Sequence, residues 1–212
     1  GNYVYHVSVG KRTFADPVFD KMDNFVFRIL KIDTSTMTWK KYAMSLLMVN
    51  LCLVFIGYLI LRIQSIGFLN PNGISGMEES LSFNTIISFM TNTNLQHYAG
   101  ESGLSYLSQM LVIIMMMFTS AATGFSACVA MVRGVLGKKM GNFYVDFIRI
   151  INRFLLPLSM IIGLFLVWQG VPQNLNSNIE LTTIEGKIQE IASGPIAALE
   201  SIKHLGTNGG GF

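Results

Sequence analysis

Leu81 to Gln96 reads LSFNTIISFMTNTNLQ, a short apolar segment that runs into a polar, uncharged Thr-Asn-Thr-Asn run. At about 1.5 Å per residue, a helix over its apolar part reaches roughly half of a ~30 Å hydrocarbon core. Such a segment enters a membrane without crossing it. The arrangement recurs further on, where Gly194 to Leu205 (GPIAALESIKHL) leads into Gly206, Thr207, Asn208, Gly209, Gly210, Gly211 and Phe212. Two half-helices, each ending in a Thr-Asn loop, point to a pore.

The rest of the chain suits a membrane. Of its 212 residues 51% are hydrophobic and only 13% charged, and the charges are missing from long stretches instead of being spread evenly. The net charge of +3 is small and its positive residues flank apolar spans, so there is no basic patch for nucleic acid. Cys52 and Cys128 lie in separate apolar spans and read as buried or lipid-facing side chains. The sequence starts at Gly1 without a signal-peptide layout and stops within a glycine-rich loop, so a fragment truncated at both ends is expected.

Residues 1–41 are the most charged part. Val18, Phe19, Met22, Phe25, Val26, Ile29 and Leu30 recur at helical spacing after Pro17, interleaved with Lys21, Arg28 and Lys31. This predicts an amphipathic helix, either lying on a membrane surface or packed on another part of the same protein. Tyr42 to Leu61 is uncharged and bracketed by Lys40, Lys41 and Arg62, which makes it the first span. Gln64 to Gly103 contains no Lys or Arg, and Pro71-Asn72-Gly73 signals a turn. Leu104 to Val132 is the second span. Its Ser120, Ala121, Ala122, Thr123, Gly124 cluster favours close packing inside a bundle, and Met115, Met116 and Met117 read as adaptable packing.

Arg133, Lys138, Lys139, Arg149 and Arg153 against a lone Asp146 make residues 133–153 a basic loop, and Phe154 to Val171 is the third span, with Pro157 placed in its first turn. The positive-inside rule puts residues 1–41 and 133–153 in the cytoplasm, so both short segments start from outside. Gln173 to Ser193 is an outer loop rich in Asn and Glu. The fold class expected is an all-α integral membrane protein with three transmembrane helices and two re-entrant half-helices.

Non-helical backbone at membrane depth persists only inside protein or along a water-filled cavity, so a loop there has something to bind. The end of a descending half-helix offers free carbonyls and about half a negative charge, which favours a cation. No Asp or Glu lies between Leu81 and Ala99 or between Lys203 and Phe212. Neutral oxygens hold a monovalent ion and let it go, whereas a divalent site normally recruits carboxylates. K⁺ or Na⁺ is therefore favoured over Ca²⁺, without a choice between the two. The plainer alternative makes each short segment an outer loop helix packed on the bundle.

Phe83-Asn84-Thr85, Thr91-Asn92-Thr93-Asn94-Leu95-Gln96, Gly100-Glu101-Ser102, Leu104-Ser105-Tyr106 with Gln109-Met110, and Leu205-Gly206-Thr207-Asn208-Gly209-Gly210-Gly211-Phe212 closely resemble the potassium-binding A subunit family of the bacterial Kdp P-type potassium-transporting ATPase. The resemblance runs from about Phe14 to the end of the chain. It implies four potassium-channel-like repeats of span, pore helix and span, of which about one and a half are present. Residues 42–132 would form the first repeat with its filter at 91–96. Residues 154–212 would begin the second, with a pore helix at 195–205 and a filter at 206–211. The implied site residues are Asn92, Thr93, Asn94 and Gln96, then Thr207, Asn208 and Gly209, Gly209 being a selectivity position in the family. The implied function is capture of K⁺ outside a bacterial plasma membrane and its delivery to an ATP-hydrolysing P-type partner subunit, alongside small accessory subunits. With two of four filter strands, the piece is not expected to transport alone.

Other chemistry is not supported. The chain has neither a phosphorylatable Asp motif nor a phosphate loop, since Gly134 to Lys139 (GVLGKK) lacks the P-loop spacing, so no ATP site and no catalytic residue is expected. His6, His97 and His204 form no ligand spacing, and no metal other than K⁺ is expected. Glu78, Glu79 and Glu101 are either solvated loop charges or a means of concentrating cations at the mouth. Two rivals stand beside the importer subunit: a stand-alone K⁺ or Na⁺ transporter of the same pore-loop superfamily, and a non-transporting membrane scaffold.

Overall fold

The computed structural model describes residues 1–66 and 68–209. Three long helices, Trp39–Ile66, Tyr106–Val135 and Phe143–Trp168, are long and apolar enough to cross a membrane. Two short helices, Glu79–Met90 and Ile196–Leu205, lie between and after them. The first packs on the first and second long helices, and the second on the third and second. The second long helix is thus the shared wall: 44% of its most apolar window is buried, against 11% and 22% in the other two. Ile86 and Phe89, Leu199 and Ile202, and Val112, Ile113, Met116 and Met117 from these elements form one core and are fully buried.

Local chemistry sets the ends. Thr38 and Asn142 cap the first and third long helices, and the Asn142 side chain also donates to the carbonyls of Asp33 and Ser35 at 2.7 and 2.8 Å. Gln64 closes the first long helix and is fully buried. Its Nε2 donates to the carbonyls of Ser75 and Gly103 at 2.8 and 3.0 Å, and its Oε1 accepts from the backbone of Ser105 at 3.2 Å. One amide group thereby ties the segments before and after the first short helix, and its burial is offset by three hydrogen bonds.

Several expectations change. The third long helix starts at Phe143, so Arg149 and Arg153 stand on helix where a loop was expected, and Pro157 is interior to it. A π-helical turn over Ile151–Leu155 precedes that proline. Pro157 has no N–H to give the carbonyl of Arg153 four residues back, and the Tyr3 hydroxyl donates to that carbonyl at 2.8 Å. A second π-turn, Gln109–Ile114, lies in the second long helix. The stretch between the third long helix and the second short one, expected as an outer loop, holds an antiparallel hairpin, β1 (Ile179–Thr182) and β2 (Ile188–Ile191), in register Ile179 with Ile191 and Thr182 with Ile188. Alternating branched apolar and polar residues around Gly186 favour it. Glu78 caps the first short helix and Glu79 pairs with Arg62 at 3.0 Å, so both have structural partners. Cys52 and Cys128 are free and face outward.

Candidate functional site

The two short helices end in the same way. At a spacing of 115 residues, each backbone donor of one loop has its counterpart in the other. Thr91 and Gly206 donate to Ile87 and Ile202 at 3.0 and 2.7 Å, and Asn92 and Thr207 to Phe89 and His204, both at 3.3 Å. Thr93 and Asn208 donate to Ser88 and Lys203 at 2.9 and 3.0 Å, and Asn94 and Gly209 return to those same carbonyls at 3.1 and 3.3 Å. Bonds of this kind arrest a helix and turn the chain out of it.

Backbone handedness matches too. Asn92 and Asn94 have φ of 60° and 56°, Thr207 and Gly209 of 61° and 77°, while Thr93 and Asn208 between them are not left-handed. In each loop a right-handed residue, Thr91 (φ −85°) or Gly206 (φ −78°), precedes a left-handed one, a pairing that turns successive backbone N–H groups to the same side of the chain. Asn and Gly tolerate the left-handed region; Thr207 is β-branched and does not, a strain of about 1–3 kcal/mol that the surrounding structure must hold.

The loops meet through asparagines. Oδ1 of Asn92 accepts from the side-chain amides of Asn208 and Asn94, the latter at 3.3 Å, and its Nδ2 faces the carbonyl of Gly206 and Oγ1 of Thr207, each at 3.4 Å. Ser120 of the second long helix reaches both asparagines at 3.4 Å. With their amide nitrogens turned to Asn92, Asn94 and Asn208 each keep a buried Oδ1 without a partner among the described residues. These are two neutral oxygens of the kind a monovalent cation or a water accepts. Asn92, Thr207 and Ser120 of this network also line a cavity of about 410 Å³, together with Phe125, Phe154 and Leu155 among others.

Of the residues expected at the site, Asn92, Asn94, Thr207 and Asn208 come together in this network. The Thr93 side chain, among the described residues, bonds locally, to Oγ1 of Thr91 at 2.9 Å. Gly209 contributes its backbone. Gln96 stands outside the network, half-buried, with Nε2 unpartnered among the described residues. Gly210 and Gly211, the far end of the expected second filter, and Phe212 lie outside the described residues. Ser120 is not among the residues expected at the site, since the small-residue cluster around it signals only packing, and Gly206 is expected only as the first residue of the second filter. Gly206 matters sterically, because a Cβ there would meet Oδ1 of Asn208 and stand 3.0 and 3.2 Å from the carbonyls of Ile202 and Met117.

The first loop is fixed to its helix by side chains as well. Oγ of Ser88 accepts from the backbone of Leu95 at 2.7 Å, and Oγ1 of Thr91 donates to the carbonyl of Ile87 at 2.9 Å. At the helix start, the Glu78 carboxylate accepts from the Ser80 hydroxyl at 2.6 Å and the Leu81 backbone at 2.9 Å. Hydrogen bonds from Ser80 and Leu81 hold that carboxyl down at about 2. Behind the second loop, Lys203 and Glu200 pair at 2.6 Å, and His204 lies 3.5 Å from the same carboxylate.

Comparison with known proteins gives a consistent match. The family model described as potassium-transporting ATPase A subunit matches residues 1–212. A potassium-transporting ATPase potassium-binding subunit of Clostridium acetobutylicum is 56% identical over 214 residues, covering 100% of this chain and 38% of that protein. One from Caldanaerobacter subterraneus subsp. tengcongensis is 53% identical, with the same coverage. The potassium-binding subunit 1 of Staphylococcus aureus strain N315 is 49% identical, covering 99% and 38%. The chain thus spans 38% of the length of these relatives.

Proposed function

Because the chain belongs to the family of potassium-transporting ATPase A subunits, we propose that it carries two of the ion-selecting loops of an ATP-driven K⁺ importer. The observation that carries this is the doubled loop: two short helices ending in the same hydrogen bonds and the same handedness, 115 residues apart and joined through asparagines. Channels and transporters repeat such broken helices around an ion path.

In this reading Glu79–Met90 and Ile196–Leu205 are re-entrant pore helices entering from outside. Asn92, Thr93, Asn94 and Gln96 form one filter strand, and Thr207, Asn208 and Gly209 begin the next. Carbonyls along each strand replace the hydration shell of K⁺, and the negative ends of the two helices favour the cation. With neutral oxygens alone the ion is held and then released into the adjoining cavity. From there it passes to a partner subunit that hydrolyses ATP, with small accessory subunits in the assembly and no ATP site on this chain. Residues 1–41 and the basic stretch 133–153 face the cytoplasm of a bacterial plasma membrane. A fourfold ring of carbonyls needs two further strands, so the reading applies to the full-length protein.

The test is Rb⁺ uptake, competed by K⁺ and Na⁺, in cells that depend on the full-length reading frame. Gly209→Ser and Gln96→Ala at matched membrane abundance should weaken apparent K⁺ affinity or relax discrimination. Unchanged competition curves for both variants would reject the filter assignment.

A further inference from the structure

The N-terminal helix Asp16–Ile29 has two faces of opposite chemistry. Asp16, Asp20 and Asp23 recur at spacings of four and three and share one side. All three bond to Arg153: Nη1 donates to Asp16 at 2.8 Å, Nη2 to Asp20 at 2.6 Å, and Nε and Nη2 to Asp23 at 2.8 and 2.6 Å. Asn152 adds a bond to Asp23 at 3.1 Å. Arg153 and Asp23 are buried. Every carboxylate of this helix is therefore turned toward the third long helix.

The opposite side holds Val18, Phe25 and Ile29, 63%, 66% and 60% exposed, with Met22 at its margin and Phe14 just ahead of the helix. Lys21 and Arg28 border this strip, Lys11 and Arg12 precede it and Lys31 follows, all exposed. None of the five has an ion-pair partner among the described residues. A water-facing helix would not present such an apolar strip. A partner recognising it must offer apolar depth and negative charge side by side.

We propose that this face lies in the headgroup and acyl boundary of the cytoplasmic leaflet and binds anionic phospholipid. Phe14, Val18, Phe25 and Ile29 enter the acyl region while Lys11, Lys21, Arg28 and their neighbours meet the phosphates. Arg153 lies about 22 Å along the helix from Trp168 at 1.5 Å per residue, so with Trp168 at the outer edge it fastens the amphipathic helix in the inner half of a ~30 Å core, roughly 8 Å from its inner edge. Because Arg153 draws the three aspartates to the opposite side of the helix, the side turned to the leaflet carries cations. The inference rests on the cytoplasmic placement of residues 1–41 made above.

Spin labels at Val18, Phe25 and Lys21, in a cysteine-free version of the full-length protein in liposomes, test it by accessibility to oxygen and to a nickel chelate. With phosphatidylglycerol present, labels at Val18 and Phe25 should be open to oxygen and at least fivefold less open to nickel than the Lys21 label. Replacing Lys21 and Arg28 by Glu should abolish that difference. Shielding from both reagents would mean that protein covers the face, and nickel access would mean water; either overturns the proposal. The same depth in pure phosphatidylcholine would overturn the anionic preference. A cysteine at Lys11 that reacts with an impermeant thiol reagent from outside intact cells would refute the topology instead. Rb⁺ uptake by the same variants reports on the filter reading separately.

Discussion

Asn208 donates its side-chain amide to Oδ1 of Asn92, 116 residues earlier in the chain, and this bond joins the two ion-loop candidates side chain to side chain. Exchanging either residue for an apolar one removes this bond and leaves the other only its longer contacts, at 3.3 to 3.4 Å, to Asn94, Ser120 and the second loop.

Asn92→Ala and Asn208→Ala should each weaken apparent K⁺ affinity by about 1–2 kcal/mol, on the order of tenfold. The double variant should lose much less than the sum, because both remove one interaction. A double-mutant cycle in Rb⁺ uptake measures this, and additive losses would show that the bond does not couple the loops.

Gly206→Ala should impair the second loop more than Thr91→Ala impairs the first. The added methyl group meets Oδ1 of Asn208 and presses on the carbonyls of Ile202 and Met117, whereas Thr91→Ala removes only local hydroxyl bonds. Apparent K⁺ affinity of the two variants at equal abundance decides the point; equal effects would contradict it.

At Gly209 the requirement is conformational. Its φ of 77° suits Gly or Asn, and a Cβ there has nothing within 4 Å among the described residues. Asn94 fills the equivalent place at 56°. Gly209→Asn should therefore retain membrane abundance and most Rb⁺ uptake, while Gly209→Val, which adds roughly 1–2 kcal/mol of left-handed strain, should lose uptake. Similar behaviour of the two variants would disprove this account.

Arg153→Leu leaves the buried Asp23 with only the more distant Arg149, at 3.8 Å, as a counter-charge, and should destabilise the protein by about 3–5 kcal/mol. Thermal unfolding in detergent should show it, with partial recovery when Asp23→Asn is added. A melting curve like that of the unmodified protein would mean the cluster contributes little.

Glu78 gives a pH dependence of definite sign. Its carboxyl is held at about 2, below the ordinary 4.5, so the cap is fully in place above pH 4.5 and is lost as pH falls from there through about 2. Stability of the first short helix, followed by hydrogen exchange at Leu81 and Ser82, should fall across that window and become flat in Glu78→Gln. An unchanged profile in the variant would assign the loss to another group.

Much of the candidate site's local geometry is legible in the sequence because its chemistry is local. TNTN and GTNG, each following a short apolar helix, carry the residue types that leave a helix with left-handed backbone and free carbonyls. The third long helix was misjudged at its start because counting Arg149 and Arg153 as loop charges ignored where their partners lie. Asp16, Asp20 and Asp23 held the missing signal, three acids on one helical face, but a face does not name its counterpart. Ser120 was missed for a similar reason: its small size suggested packing, and its contacts come from loops 28 and 88 residues away.

The sequence by itself determined three membrane-length helices, two helices too short to span, and loops able to aim neutral oxygens. These follow from hydrophobic length and from the backbone preferences of single residues, which act within a few positions. Tertiary structure alone decided that the two loops share one hydrogen-bond register and meet at Asn92 and Asn208, that Ser120 stands between them, and that Arg153 draws three aspartates to itself. The meetings at Asn92, Asn208, Ser120 and Arg153 depend on polar atoms finding partners from 28 to 137 residues away, and only the packed arrangement of helices brings those atoms within reach.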